Sequence, residues 1–184
     1  MSDAYYLGID LSWTASALLL TDGAGQVVRK LQCGTEKKDF PSRPARLFAM
    51  LEQIRGWLSE LPYVRMTAVE GYSMGSSNGR EMAGGLGEAV RIELWKFGFQ
   101  YIDVPPTVLK SFVAGKGNAP KELMLQQVLK RWGYEASDNN DADGYSLARF
   151  ARAACEADRP AVVEKLLRKT EIVSPRGMAF REPA

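Results

Sequence analysis

Residues 5–28 read YYLGIDLSWTASALLLTDGAGQVV, and this stretch sets the fold class. Tyr5–Leu11 is an apolar run carrying an acid, Asp10, near its end. Ala17–Leu20 is a second apolar run, Asp22-Gly23 is a turn signal, and Gly25-Gln26-Val27-Val28 leads into a third. The chain therefore opens as a β-meander with a carboxylate at the end of its first strand.

Helical patterns follow. After Pro41-Ser42, the residues Leu47, Phe48, Leu51, Ile54, Leu58 and Leu61 recur at helical spacing, with Pro44 tolerated in the first turn. Met66–Val69 is a short buried strand ending on Glu70, and GYSMGSSNG after it reads as a loop. Glu81–Phe97 is helical, Tyr101–Val104 a strand closed by Pro105-Pro106, and a loop rich in lysine and glycine leads to a helix from Pro120 to Trp132. A polar turn, Asp138–Asp141, opens a last helix from Ala142. Strands followed by alternating helices and strands give a mixed β-sheet flanked by α-helices, an α/β fold. Residues 1–158 carry this pattern, and 159–184 form a C-terminal extension expected to be partly loose.

Composition narrows the chemistry. At 184 residues and 46% apolar content the chain suits one domain with a real core. It has no histidine and only two cysteines, Cys33 and Cys155, so neither imidazole triads nor the usual zinc ligand sets can be assembled. A metal must be held by oxygen. No stretch approaches the roughly 18–20 apolar residues of a membrane span, and MSDAYY lacks a signal-peptide layout, which leads us to expect a cytoplasmic protein with no membrane partner. A net charge of +2 is neutral on nucleic acid, which would need a local basic surface.

Asp10, Glu70 and Asp143 each lie at a strand end or a helix start, where a mixed sheet can gather them. Converging carboxylates need a cation to offset their repulsion, and magnesium, with manganese as substitute, takes carboxylates together with substrate phosphates. Phosphodiester hydrolysis is the natural reaction.

Five segments carry a resemblance: GIDLSWTAS from Gly8, VEGY from Val69, LGEAVRIELWKFG from Leu86, VLKSFVAGKGNAPKELM from Val108 and DADGYSLA from Asp141. In order and spacing, over roughly residues 5–152, they resemble RuvC-type Holliday-junction resolvases of the phage-like branch, within the ribonuclease H-like superfamily. The resemblance implies a ribonuclease H-like fold and a homodimer in a bacterial cell, with phage or prophage encoding a further expectation. It also implies magnesium-dependent, symmetric nicking of four-way or branched DNA. Asp10, Glu70 and Asp143 match the family's metal ligands. The family's further acid falls on Asn140 here, which leaves Asp141, Asn140 and Asp138 as alternatives for the fourth ligand; charge favours Asp141 and helical spacing favours Asn140. Lys110 and Lys121 match two basic positions that hold the scissile phosphate, with Lys121 also expected to act in catalysis, and Lys116 adds a DNA-backbone contact. Tyr72, or Met74, in the loop after Glu70 is expected to wedge against an unpaired base.

Each feature also has an ordinary structural role. Strand-end acids cap helices, the 138–141 turn is a capping sequence, lysines in GKGNAPKE are a solvated loop, and Trp13, Trp57, Trp95 and Trp132 fill a core or a dimer contact. The competing functions are a junction-binding protein with little cleavage, suggested by Asn140, and a magnesium-dependent RNA nuclease of the same fold. A sugar-kinase-like ATPase would need a second domain for which there is no room.

Overall fold

The computed structural model describes residues 4–71 and 77–175, and the side chains of all of these except 77–84. The expected meander is β1 (Tyr5–Asp10), β2 (Ser16–Thr21) and β3 (Val27–Cys33). There follow α1 (Arg43–Ser59), β4 (Val64–Glu70), α2 (Ser77–Lys96), β5 (Tyr101–Val104), α3 (Pro106–Ala114), α4 (Lys121–Trp132), α5 (Asn139–Cys155), α6 (Ala161–Leu167) and β6 (Glu171–Val173). The six strands form one mixed sheet in the order β3-β2-β1-β4-β5-β6. β1 runs parallel to β4 and β4 parallel to β5, while the other neighbours are antiparallel.

The period of two along each strand sorts side chains to two cores. Leu7 and Ile9 of β1, Leu18 and Leu20 of β2, Val69 of β4 and Tyr101 of β5 pack with Met50, Ile54, Leu86, Val90 and Leu94 of α1 and α2. Tyr6, Ala17, Leu19, Met66, Ala68, Ile102 and Val104 point the other way, into the core built with α3 to α6. Asp10 and Glu70 continue the second set, since each lies four residues after an inward-facing member, Tyr6 or Met66. Both therefore face α5.

Helix α5 is the centre of that layer. It is buried nearly all round, a pattern of small residues (Ala142, Gly144, Ser146, Ala148, Ala151, Ala154) among Tyr145, Leu147 and Phe150. It packs on β1 more extensively than on any other element, and then on β2 and β4. Two glycines permit this. A Cβ on Gly8 would stand 2.0 Å from the carbonyl oxygen of Gly144 and 2.4 Å from the nitrogen of Ala148, and one on Gly144 would stand 3.0 Å from the oxygen of Ala17. Strand and helix backbones are in direct contact.

Several expectations change. The inward stripe of α1 is Arg46, Met50, Ile54 and Leu58, four residues apart, whereas Phe48 is 64% exposed. α2 begins at Ser77, inside the stretch read as loop. The lysine- and glycine-rich connection after β5 contains a full helix, α3, started by Pro106 and closed by Gly115 at φ +79. The C-terminal extension supplies α6, whose Val163 and Leu166 are buried, and β6, which pairs with β5 and extends the sheet.

Gly8→Ala should cost about 1–3 kcal/mol by forcing α5 off the sheet, a fall in Tm of roughly 2–4 °C per kcal/mol for a chain of this size. Gly56→Ala, where nothing lies within 4 Å of the added carbon on the exposed side of α1, should leave Tm unchanged or raise it. Thermal melts of the two variants check the contrast.

Candidate functional site

Asp10 and Glu70 end adjacent parallel strands, whose last paired residues are Ile9 and Val69. Asp10 is 4% exposed and its carboxyl shares a hydrogen bond with that of Glu70. The close seating of α5 brings Asp143, the residue before Gly144, to the same strand ends. The consequences are electrostatic. Burial foremost, then the charge of Glu70 and the hydrogen bond with it, then the charge of Asp143, hold the Asp10 carboxyl well above the carboxylate range; Lys121 opposes them. Asp143 is pushed up to about 7, first by burial and then by Glu70, against the charges of Lys121 and Lys110.

Lys121 is the first residue of α4 and exposed, and Lys110 lies half-buried on α3. The helix missed in the sequence is thus what carries Lys110 to the carboxylates. Lys116 is exposed in the α3–α4 loop, and no carboxylate interaction ties it to the acids. Tyr72 and Met74 lie outside the described residues.

Asp141, the alternative for the fourth ligand that charge favours, has its carboxylate engaged by other residues. It is 1% exposed, and its oxygens are committed elsewhere: Oδ1 accepts from Tyr134 Oη at 2.8 Å, and Oδ2 accepts from Ser137 N at 2.7 Å and Ser137 Oγ at 2.9 Å and pairs with Lys30 Nζ at 2.7 Å. Burial pushes this carboxyl up, but the bonds from Lys30, Ser137 and Tyr134 together outweigh it and hold the group below its ordinary value. The reason is helical geometry. α5 begins at Asn139, so Asp141 is already helical and, two residues from Asp143, points away from it. Asp138 is the N-cap, its Oδ1 accepting from Asp141 N at 2.8 Å. Asn140 is half-buried and retains the favourable spacing. Sequence reasoning missed Asn139, one turn before Asp143, whose Oδ1 is buried with no hydrogen-bond partner. An orphaned amide oxygen leaves no trace in sequence.

Among the described residues, no three acidic, histidine or cysteine side chains close around a common point tightly enough to enclose an ion as they stand. The donor chemistry nevertheless fits a hard cation. The Asp10 carboxyl is held well above the carboxylate range, Asp143 is raised first by burial and then by Glu70, and Asn139 Oδ1, one turn before Asp143, is unsatisfied. A divalent ion held by these residues would offset the repulsion between them.

Asp143 binds its proton more tightly in the folded chain than at its ordinary value of 3.8, so its contribution to stability is present below that value and lost as pH rises through about 7. Melts in chelator should show Tm falling by several degrees between pH 5 and 8. Asp143→Asn should flatten the slope, and magnesium should restore Tm at pH 8. A Tm that rises over this range in chelator contradicts the electrostatic account.

No family model and no curated protein sequence matches the chain. Among solved structures it is similar to Thermus thermophilus RuvC, with a TM-score of 0.66 and 16% identity over 92% of this chain and 99% of that one. It is likewise similar to T. thermophilus RuvC in complex with a Holliday junction substrate, with a TM-score of 0.69 and 17% identity over 92% and 99% of the two chains. At such identity the likeness establishes architecture: the chain has the RuvC-type, ribonuclease H-like α/β fold.

Proposed function

We propose that this chain is a divalent-metal-dependent endonuclease that nicks four-way or other branched DNA, acting as a homodimer with one site for each of two strands. The observation that carries the reading is the meeting of Asp10, Glu70 and Asp143, flanked by Lys121 and Lys110, on a fold shared with a RuvC that has been seen with a Holliday junction.

Asp10, Glu70 and Asp143 would hold magnesium or manganese, with Asn140 or Asn139 offering a neutral oxygen. When bound, the ion supplies charge neutralisation and polarisation of the scissile phosphate. The chain's own groups do the rest. Asp10, held well above the carboxylate range, and Asp143, raised to about 7, would each give up a proton for the site to carry its full negative charge. Lys121 and Lys110 place ammonium groups where negative charge builds on the phosphate, and Lys116 is free to meet the DNA backbone. Tyr72, following Glu70 by two residues, is assigned to stacking on an unpaired base.

The homodimer reading is supported by exposed apolar side chains on the two helices that cover the other side of the sheet: Phe48 of α1 at 64%, and Ile92 and Trp95 of α2 at 53% and 40%. No described helix is long and apolar enough to cross a membrane. The neutral Asn140 favours one second reading, a junction-binding protein with little cleavage.

The test is cleavage of an end-labelled four-way junction with magnesium, beside a linear duplex of the same sequence and an RNA–DNA hybrid. Paired symmetric nicks in the junction alone, abolished by Asp10→Asn while binding persists, are expected. Tight binding without nicks favours the second reading, and preferential cutting of the hybrid overturns the DNA assignment. Lys121→Ala should slow single-turnover cleavage with little change in binding.

A further inference from the structure

Arg91 stands where α2 should be apolar. Leu86, Val90 and Leu94 line the inward side of that helix, and Arg91, among them, is 5% exposed. A buried guanidinium costs several kcal/mol unless paired with good geometry, and its partner is an equally unexpected acid, Asp103, inside the four-residue strand β5. Arg91 Nε donates to Asp103 Oδ2 at 2.8 Å, and its NH2 group donates to Asp103 Oδ1, a two-pronged pair. The same NH2 also donates to the main-chain oxygen of Glu70 at 3.3 Å.

The location of this third bond gives the pair its meaning. Asp103 is in register with Val69, the residue before Glu70. It shares the α2-facing side of the sheet with Tyr101, whereas the Glu70 carboxyl faces α5. The guanidinium therefore grips the main chain of Glu70 from behind, beyond the last residue that β4 pairs with β1. The next residue is held too, Gly71 N donating to Val104 O at 2.8 Å. One rigid side chain thus fixes the end of β4 to both β5 and α2.

We infer that Arg91, held by Asp103, is a positioning residue for the Glu70 carboxylate and sets the metal affinity of the site without touching ion or DNA. The inference rests on the proposed function. Groups that orient metal ligands typically change metal affinity about 10–100-fold when removed. Arg91→Lys keeps the charge and loses the fork.

The experiment is Mn2+ binding to the full chain, followed by the EPR signal of free Mn2+ without any substrate, for wild type, Arg91→Lys and Asp103→Asn. Each variant is also made in a Glu70→Gln background. Mn2+ affinity should fall about tenfold in Arg91→Lys and Asp103→Asn, with four-way junction binding in chelator unchanged. In the Glu70→Gln background the same changes should add little, because the group they orient is already altered. Unchanged Mn2+ affinity in a folded Arg91→Lys or Asp103→Asn protein overturns the inference and leaves the proposed function standing. So does an equal loss in both backgrounds, the mark of a general structural role. Should Arg91→Lys fail to fold, Asp103→Asn decides alone. A wild type that binds no Mn2+ overturns the proposed function and this inference together.

Discussion

The contact of Gly8 with the backbone of Gly144 is the constraint on which the site depends. Asp10 lies two residues after Gly8, and Asp143 immediately before Gly144, so the distance between strand and helix backbones sets the distance between two of the three carboxylates. A side chain at Gly8 would meet main-chain atoms rather than a yielding side-chain tip, with only 2.0 Å available, and one at Gly144 would meet the tip of Leu19 at 2.6 Å and the main-chain oxygen of Ala17 at 3.0 Å. A methyl group at Gly8 would therefore move the whole helix. Close packing of a buried helix and clustering of buried charge are one geometric fact seen from two sides.

Apolar burial stabilises both layers, but polar groups fix their registration. The network of Lys30, Tyr134 and Ser137 around Asp141 anchors the first turn of α5 to β3 and to the α4–α5 connection, and so orients Asp143 two residues on. Arg46 acts similarly near the other strand end. Its guanidinium donates to Thr35 Oγ1 at 2.9 Å and to Trp13 O at 3.3 Å, and lies 4.8 Å from the centre of the Trp13 ring. That ties the start of α1 to the loop that follows Asp10. Each of these residues would be cheaper as an apolar one if stability alone were at stake; each holds backbone near a carboxylate of the candidate site.

How much of this was legible in sequence depended on how local the cause was. Asp10 and Glu70 were legible because period-two alternation and strand ends are local properties, and the same patterns gave the sheet and the long helices. Asp143 was legible as an acid at a helix start, and the DADGYSLA resemblance set it apart from an ordinary cap. The surroundings of Asp141 were not legible: its formal charge suits a metal, but its partner Lys30 is distant in sequence. α3 was hidden by its flanks, Pro105-Pro106 and Gly115, which read as loop punctuation but here start and stop a helix. The pairing of Arg91 with Asp103 depended on two residues that each look misplaced within their own element and make sense only together.

The electrostatics of the site also link metal, pH and folding in one direction. Asp10 and Asp143 both hold protons more tightly in the folded chain than carboxyls ordinarily do, because burial and then the charge of Glu70 disfavour ionisation. Ionising them destabilises the fold unless positive charge arrives, and Lys121 and Lys110 oppose the shift without abolishing it. A cation entering such a site must displace those protons, so its affinity rises with pH over the same range in which the metal-free fold weakens. The neutral Asn140 fits this balance. A fourth carboxylate at that position would add repulsion to a cluster in which Asp10 and Asp143 already resist ionisation, whereas an amide offers an oxygen at no electrostatic cost.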